Sequence, residues 1–287
     1  MSARECRWCR AFAIKPKDSI KTNDSRPHPL PRMAGSAALA ISKDNDNIAR
    51  ILVISKDMTT WREKVSFLVT RLGRPSGGAA EEYLKWYFGN LVWQQTTWLG
   101  INCWKSVTDL WNYQEILFDL KPSLVVEFGT RYGGSAVFYA SILRLTDRPF
   151  KVFSVDVSSS ALDPAARCYP EIEFVESSST AAAIAERIRQ LEAEFPGKVF
   201  AILDSDHTKD HVLAEMKLLR PLLSAGDYLL VEDSCVNGHP IMPGFGPGPY
   251  EAIEAYEQEF PNDYDHDCVR ENKFGWTLAP NGYLIRK

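Results

Sequence analysis

From residue 124 onward the chain alternates short apolar runs with longer stretches of helical period, and that alternation constrains the fold more than any other feature. The runs at 124–128, 152–157, 172–175, 199–203 and 228–231 are largely apolar at successive positions, not at every second one. A strand of that kind is buried on both faces, as in a parallel sheet with helices on each side. Stretches of helical period at 135–145, 180–195, 209–219 and 249–260 lie between or after these runs, and a last strand or hairpin is expected within 274–285. The spacing predicts an α/β fold with a doubly wound, mostly parallel sheet.

The chain has 287 residues, 45% of them hydrophobic, enough for one sizeable α/β domain and an appendage. Its formal net charge of −4 gives no electrostatic footprint for nucleic acid. No apolar run approaches the roughly 18 to 20 residues that span a bilayer, and the first residues are polar and contain Pro, unlike an export signal. A cytoplasmic protein is expected. Six cysteines are scattered without the density of a disulfide-stapled domain and read as thiols. Cys6 and Cys9 form a C-x-x-C pair, but no second ligand pair follows at zinc spacing.

Residues 1–57 are rich in Lys, Asp, Asn, Ser and Pro and are expected to be a poorly structured extension, apart from a strand-like run at 51–55. Residues 58–106 are expected to form an amphipathic helix and an aromatic-rich lid. In the helix Trp61, Val65, Leu68, Val69 and Leu72 share one face, which either packs on the main domain or lies at a membrane interface. The lid segment contains Trp86, Trp93, Trp98 and Trp104, and each is either a core filler or a platform for substrate. A helix at 108–120, stopped by Pro122, opens the main domain at 107–287.

The chemistry lies at strand ends. LLVEDS closes one apolar run 28 positions after LDSDH closes another, which would bring Asp204, Glu232 and Asp233 to one rim of the sheet. Three acids there either hold a hard divalent cation through oxygen or act as solvated helix caps. His207 follows the first acid by three positions and is either a base beside the metal or a surface histidine. Upstream, LVVEFGTRYGGS places Gly129, Gly133 and Gly134 in the turn after the first strand. Such glycines admit a nucleotide-like cofactor to the backbone or simply allow a packed turn. Glu127 can accept from an amino group; Asp156, 27 positions after Gly129, can hold a ribose or cap a helix. Ser177 and Ser178 can reach an adenine edge or remain loop hydroxyls.

The segments EFGTRYGGSAVFYA, LDSDH, EMKLLRPLLSAGDYLLVEDS, NGHPIMPGFGPGPYEAIEAYEQEFPNDY and ENKFGWTLAPNGYLIRK resemble the cephalosporin hydroxylase-like family of class I S-adenosylmethionine-dependent methyltransferases, in its rhamnosyl O-methylating branch. The resemblance runs from about Glu81 to Lys287; residues up to about 57 have no counterpart in it, and Met33 and Met58 are candidate later starts. It implies a Rossmann-like class I methyltransferase domain behind a helical or irregular N-terminal extension. S-adenosylmethionine would lie against Glu127, Gly129, Thr130, Gly133, Gly134 and Ser135, with Asp156 on the ribose and Ser177, Ser178 and Asp204 completing its contacts. Mg2+ would be held by Asp204, Glu232 and Asp233, with His207 as the catalytic base. The implied acceptor is the 2-hydroxyl of the first rhamnose on a phenolic glycolipid or on a p-hydroxybenzoic acid derivative. A homo-oligomer working in the cytoplasm, in peripheral contact with the inner face of the membrane, is expected. The family's name keeps a metal-dependent hydroxylase as an alternative, and an inactive cofactor-binding accessory protein as another.

Overall fold

The computed structural model describes residues 78–287. The extension at 1–57 with its strand at 51–55 and its C-x-x-C pair, and the amphipathic helix on Trp61 to Leu72, lie outside the described residues. Helix α1 (Gly78–Gly89) is followed by a 3-10 turn (Val92–Gln95) and a small hairpin of β1 (Thr97–Trp98) and β2 (Ile101–Asn102). Next come α2 (Val107–Leu120), β3 (Leu124–Phe128), α3 (Gly134–Arg144), β4 (Lys151–Asp156), β5 (Ile172–Glu176), α4 (Ala182–Glu194) and β6 (Val199–Leu203). The chain ends with α5 (Lys209–Leu219), β7 (Tyr228–Val231), α6 (Pro249–Glu259), β8 (Tyr264–His266), a short α7 (Cys268–Glu271) and β9 (Tyr283–Arg286).

Strands β3 to β9 form one seven-stranded sheet in the order β5-β4-β3-β6-β7-β9-β8. The five strands from β5 to β7 run parallel, and β9 lies antiparallel to both β7 and β8. The chain moves outward from β3 through β4 to β5, then returns to place β6 on the other side of β3. Ligands of doubly wound folds bind at such a reversal, beyond the carboxyl ends of the strands.

Alternation within each strand distributes the core over both faces. Leu124, Val126 and Phe128 of β3 pack with Ile188 of α4, Met216 of α5 and Tyr256 of α6. Val125, together with Phe200 and Ile202 of β6, packs with Tyr113 and Leu117 of α2 and Val137 of α3 on the opposite face. This two-sided burial is why the strand sequences read as continuous apolar runs.

Helix α2 begins at the cap Ser106, whose hydroxyl accepts the Asp109 N–H at 3.3 Å, and ends at Lys121 in the left-handed region (φ 50°) just before Pro122. Its buried Asp109 accepts from Thr277 Oγ1 at 2.6 Å, Leu278 N at 3.0 Å and Tyr283 Oη at 2.8 Å. That network fastens α2 to the C-terminal segment and fixes the approach of the preceding hairpin to the sheet. The short edge strand β8 has no counterpart among the sequence expectations, because three residues with two polar side chains show no period.

Candidate functional site

A cavity of about 460 Å³ opens over the carboxyl ends of β3, β4, β6 and β7, a size within the range of about 300–1,000 Å³ usual for small-molecule sites. The first strand end supplies its floor. Gly129 (φ 105°) brings the turn after β3 against β6, where a Cβ would lie 1.9 Å from the Asp204 carbonyl oxygen. Gly134 starts α3 directly beneath the hairpin, its absent Cβ 2.2 Å from Asn102 O. Both glycines line the cavity, yet it is the packing of the chain on itself that excludes a side chain. Gly133 lies outside the cavity lining, packed against Leu162 and Ala166.

Thr130, Ser135 and Asp156 also face the cavity. The Asp156 carboxylate, at the end of β4, accepts the Arg131 N–H at 2.8 Å and the Ser158 N–H at 3.1 Å, one at each oxygen. Each oxygen keeps acceptor capacity, which fits a pair of ribose hydroxyls. Ser177 lines the cavity, whereas Ser178 is exposed, pairs with Thr180 and takes no part in the lining; Ser179 occupies the wall in its place. Glu127 is fully buried and does not reach the cavity. Its Oε2 accepts from Ser154 Oγ at 2.6 Å, and Ser154 in turn lies 2.6 Å from Thr130 Oγ1, so Glu127 bears on the cavity wall through neighbouring hydroxyls. Burial pushes its carboxyl up to about 7, against the pull of Lys105 and the Ser135 and Ser154 hydroxyls.

Beyond β6 and β7 the acids separate. Asp204, His207 and Asp233 can each offer a ligand atom within 4.8 Å of the others. Glu232 stands outside that group. Adjacent residues at a strand end point to opposite sides, and Asp233 departs further by adopting the left-handed region (φ 52°), which turns its carboxylate toward His207 Nε2 at 3.2 Å. Glu232 instead points to the Lys105 ammonium at 2.6 Å and is only 4% exposed. The same ammonium contacts Asp204 Oδ2. Burial opposes the charge on Lys105, but Asp204 and Glu232 outweigh it and hold its pKa well above the ordinary value. Two half-buried carboxylates facing one another beside a solvent-connected cavity fit a hard divalent cation, with the imidazole the weaker partner of such an ion.

Of the four tryptophans in the aromatic segment, two face the cavity. Trp93 and Trp104 meet edge to face at 5.4 Å, and Trp104 also contacts Tyr132 and carries the Arg131 guanidinium 4.1 Å from its ring centroid. Trp98 packs on Phe138 of α3, and Trp86 is exposed on α1. His211, which its sequence position did not single out, lines the wall between Ser179 at 3.0 Å and Glu215 at 3.2 Å, and its pKa is raised by the Glu215 hydrogen bond.

A family model described as rhamnosyl O-methyltransferase/CmcI matches residues 90–287. The chain belongs to this family. A rhamnosyl O-methyltransferase of Mycobacterium bovis (strain BCG / Pasteur 1173P2) is 72% identical over 221 residues, which are 77% of this chain and 90% of the relative. One from Mycobacterium leprae (strain TN) is 64% identical over 230 residues, 80% of this chain and 100% of the relative. Among solved structures, an apo form of CmcI has a TM-score of 0.55 at 21% identity, covering 67% of this chain and 76% of the other. CmcI with Mg and SAM also gives 0.55, at 20% identity, over 68% and 77% of the two chains. The shared element is the fold: the doubly wound, mostly parallel sheet that the alternation of apolar runs and helices leads one to expect, of the class I methyltransferase type that the resemblance implies.

Lys105 carried no sequence signal of its own. It stands between a hairpin and a helix cap, and only the folded hairpin brings it to strand ends that are about 100 positions away.

Proposed function

We propose that this chain is an S-adenosylmethionine-dependent, Mg2+-assisted O-methyltransferase acting on a rhamnosyl hydroxyl. The acceptor we assign is the 2-hydroxyl of the first rhamnose of a phenolic glycolipid or a p-hydroxybenzoic acid derivative. Membership of the rhamnosyl O-methyltransferase/CmcI family supports the reaction class. The observation that carries the reading is one cavity holding both the Asp156 side of a nucleoside site and the Asp204, His207 and Asp233 cluster.

When bound, S-adenosylmethionine supplies an electrophilic methyl group, and Mg2+ supplies positive charge that acidifies and orients the acceptor hydroxyls. The chain supplies position and a proton acceptor. Asp156 would hold the ribose, with Thr130 and Ser135 along the rest of the cofactor and Ser177 at its base end. Asp204 and Asp233, with Glu232 beside them, would hold the cation. His207, oriented by Asp233, would take the proton from the acceptor hydroxyl as its oxygen attacks. Because the displaced group would be a neutral thioether, the chain needs to supply no general acid on that side. Trp93 and Trp104 offer flat apolar faces to the sugar ring or to the phenol beyond it.

A donor set of two carboxylates and one imidazole differs from the two-histidine, one-carboxylate face of iron oxygenases, which favours methyl transfer over the hydroxylase alternative. Among the described residues no helix is long and apolar enough to cross a membrane. A lipid-linked acceptor would be met from the cytoplasmic side, in peripheral contact with the inner face.

Incubating the full chain with S-adenosylmethionine, Mg2+ and a rhamnosylated phenol, followed by intact-mass analysis, tests the proposal. A gain of one CH2 unit on the sugar is expected. A gain of one oxygen, or no gain on any rhamnosyl acceptor, would overturn it.

A further inference from the structure

We propose that a second cavity, between α1, the start of α6 and the segment after α7, is a saccharide site separate from the catalytic cavity, and that it takes a neutral deoxyhexosyl ring. The choice of rhamnose as that sugar rests on the proposed function; the site itself rests on the chemistry of its walls.

This cavity has a volume of about 390 Å³, within the range usual for small-molecule sites, and shares no lining residue with the catalytic one. Two aromatic surfaces wall it. On one side stands Trp276, its indole set by Tyr83 at 5.8 Å and by the buried Tyr87 at 5.1 Å. On the other, Tyr250 lies flat against His239, with ring centroids 3.8 Å apart and planes within 10° of parallel. His239 Nε2 lies 3.1 Å from Glu251 Oε1, and Glu251 Oε2 accepts the Gly248 N–H at 2.7 Å where α6 begins. Both platforms are thus ordered before a ligand arrives, which lowers the cost of binding. Trp276 packs on a cluster of Leu84, Val236 and Leu278, and Trp93 of the catalytic cavity packs on the same cluster, so one apolar layer supports a wall of each cavity.

The polar lining selects the ligand. Glu81 and Glu271 supply carboxylates, and Asn272, whose Nδ2 donates to Cys268 O at 2.9 Å, keeps Oδ1 as an acceptor. Among the described residues no lysine or arginine lines the cavity, so a phosphate or carboxylate ligand would meet like charge without a counter-ion. A cation is also poorly served. Glu81 already carries Lys85 at 2.5 Å, and His239 covers one face of Tyr250, so the rings do not surround a charge as an aromatic cage does. A pyranose meets both features of the walls at once: its C–H face can lie on an indole or phenol ring, while the hydroxyls around its edge donate to carboxylate and amide oxygens. A deoxyhexose adds a methyl group to that apolar face, which increases the area it can bury against Trp276.

The test is fluorine NMR on the full-length chain with fluorotryptophan in place of tryptophan, the Trp276 resonance being assigned with Trp276→Phe. Methyl rhamnoside should move that resonance saturably, with a Kd on the order of millimolar, as befits a ligand of so few atoms. Tyr250→Ala and Glu271→Gln should each weaken this binding by about fivefold or more, while methyl transfer to a rhamnosyl phenol stays within about twofold of the wild type. If Trp276→Phe does not fold, saturation transfer from protein to sugar, compared between the wild type and Tyr250→Ala, decides instead: a weaker signal in the variant upholds the site and an equal one overturns it. A Trp276 resonance that the sugar leaves unmoved overturns the inference, as does one that tetramethylammonium moves at lower concentration than the sugar. Turnover lost in Tyr250→Ala and Glu271→Gln together with sugar binding overturns the separation of the two sites. A wild type that transfers no methyl group would overturn the proposed function, yet a saturable sugar shift at Trp276 would still uphold this site.

Discussion

His207 Nε2 and Asp233 Oδ2 lie 3.2 Å apart, joining the loop after β6 to the left-handed residue that follows β7. This contact places the imidazole and the carboxylate side by side on the wall of the cavity.

If His207 is that base, His207→Ala lowers kcat by about 10² to 10⁴ and leaves S-adenosylmethionine affinity near that of the wild type. Steady-state kinetics beside calorimetry with the cofactor checks this. Near-wild-type turnover would remove His207 from the mechanism.

Asp156 anchors the turn after β3 through the Arg131 N–H and, under the proposed function, holds the ribose. Its replacement by Ala should weaken cofactor binding by roughly 1.5 to 3 kcal/mol, the worth of a hydrogen bond to a charged group. Unchanged affinity would restrict Asp156 to ordering that turn.

The parallel sheet and its helices were legible because each strand is apolar on both faces, and β3, β6 and β7 have the bounds that the apolar runs suggest. The rim of acids was legible too, since strand ends of a doubly wound sheet converge. Side-chain direction was not. A linear motif presents Glu232 and Asp233 as equals, and only the backbone turn at Asp233 sends one to His207 and the other to Lys105. Glu127 was hidden for a related reason, because a residue one position inside the strand end is buried, not presented. The places of Trp93 and Trp104 on the cavity wall depend on a 3-10 turn and a hairpin with only two residues in each strand, too short to leave a period.

Glu127 makes a pH-dependent contribution of determinable sign. Its folded pKa of about 7 lies above the ordinary value of 4.5, so the folded chain binds more protons than the unfolded chain between these values. Stability from this residue is therefore greatest below about pH 4.5 and declines as pH rises toward 7. Glu127→Gln, which cannot ionise, should gain on the wild type across that window, by an amount on the order of 3 kcal/mol. Paired denaturant titrations from acid to neutral pH check the difference, and a constant gap between the two proteins would contradict it.

Asp109→Ala should destabilise the fold by about 3 kcal/mol or more, since it strands donors from Thr277, Leu278 and Tyr283 in the interior. Thermal unfolding should show a fall in Tm of several degrees. A Tm within about one degree of the wild type would mean that the C-terminal segment is held by its apolar contacts alone.

Transfer of an isotope-labelled methyl group from S-adenosylmethionine to a defined rhamnosyl phenol, followed by NMR of the product with the divalent cation removed and then restored, tests the central claim most directly. The account predicts label on the 2-oxygen of the rhamnose, its loss on exhaustive chelation, and its return with Mg2+. Label that persists undiminished after chelation, or that never reaches a rhamnosyl oxygen, would contradict it.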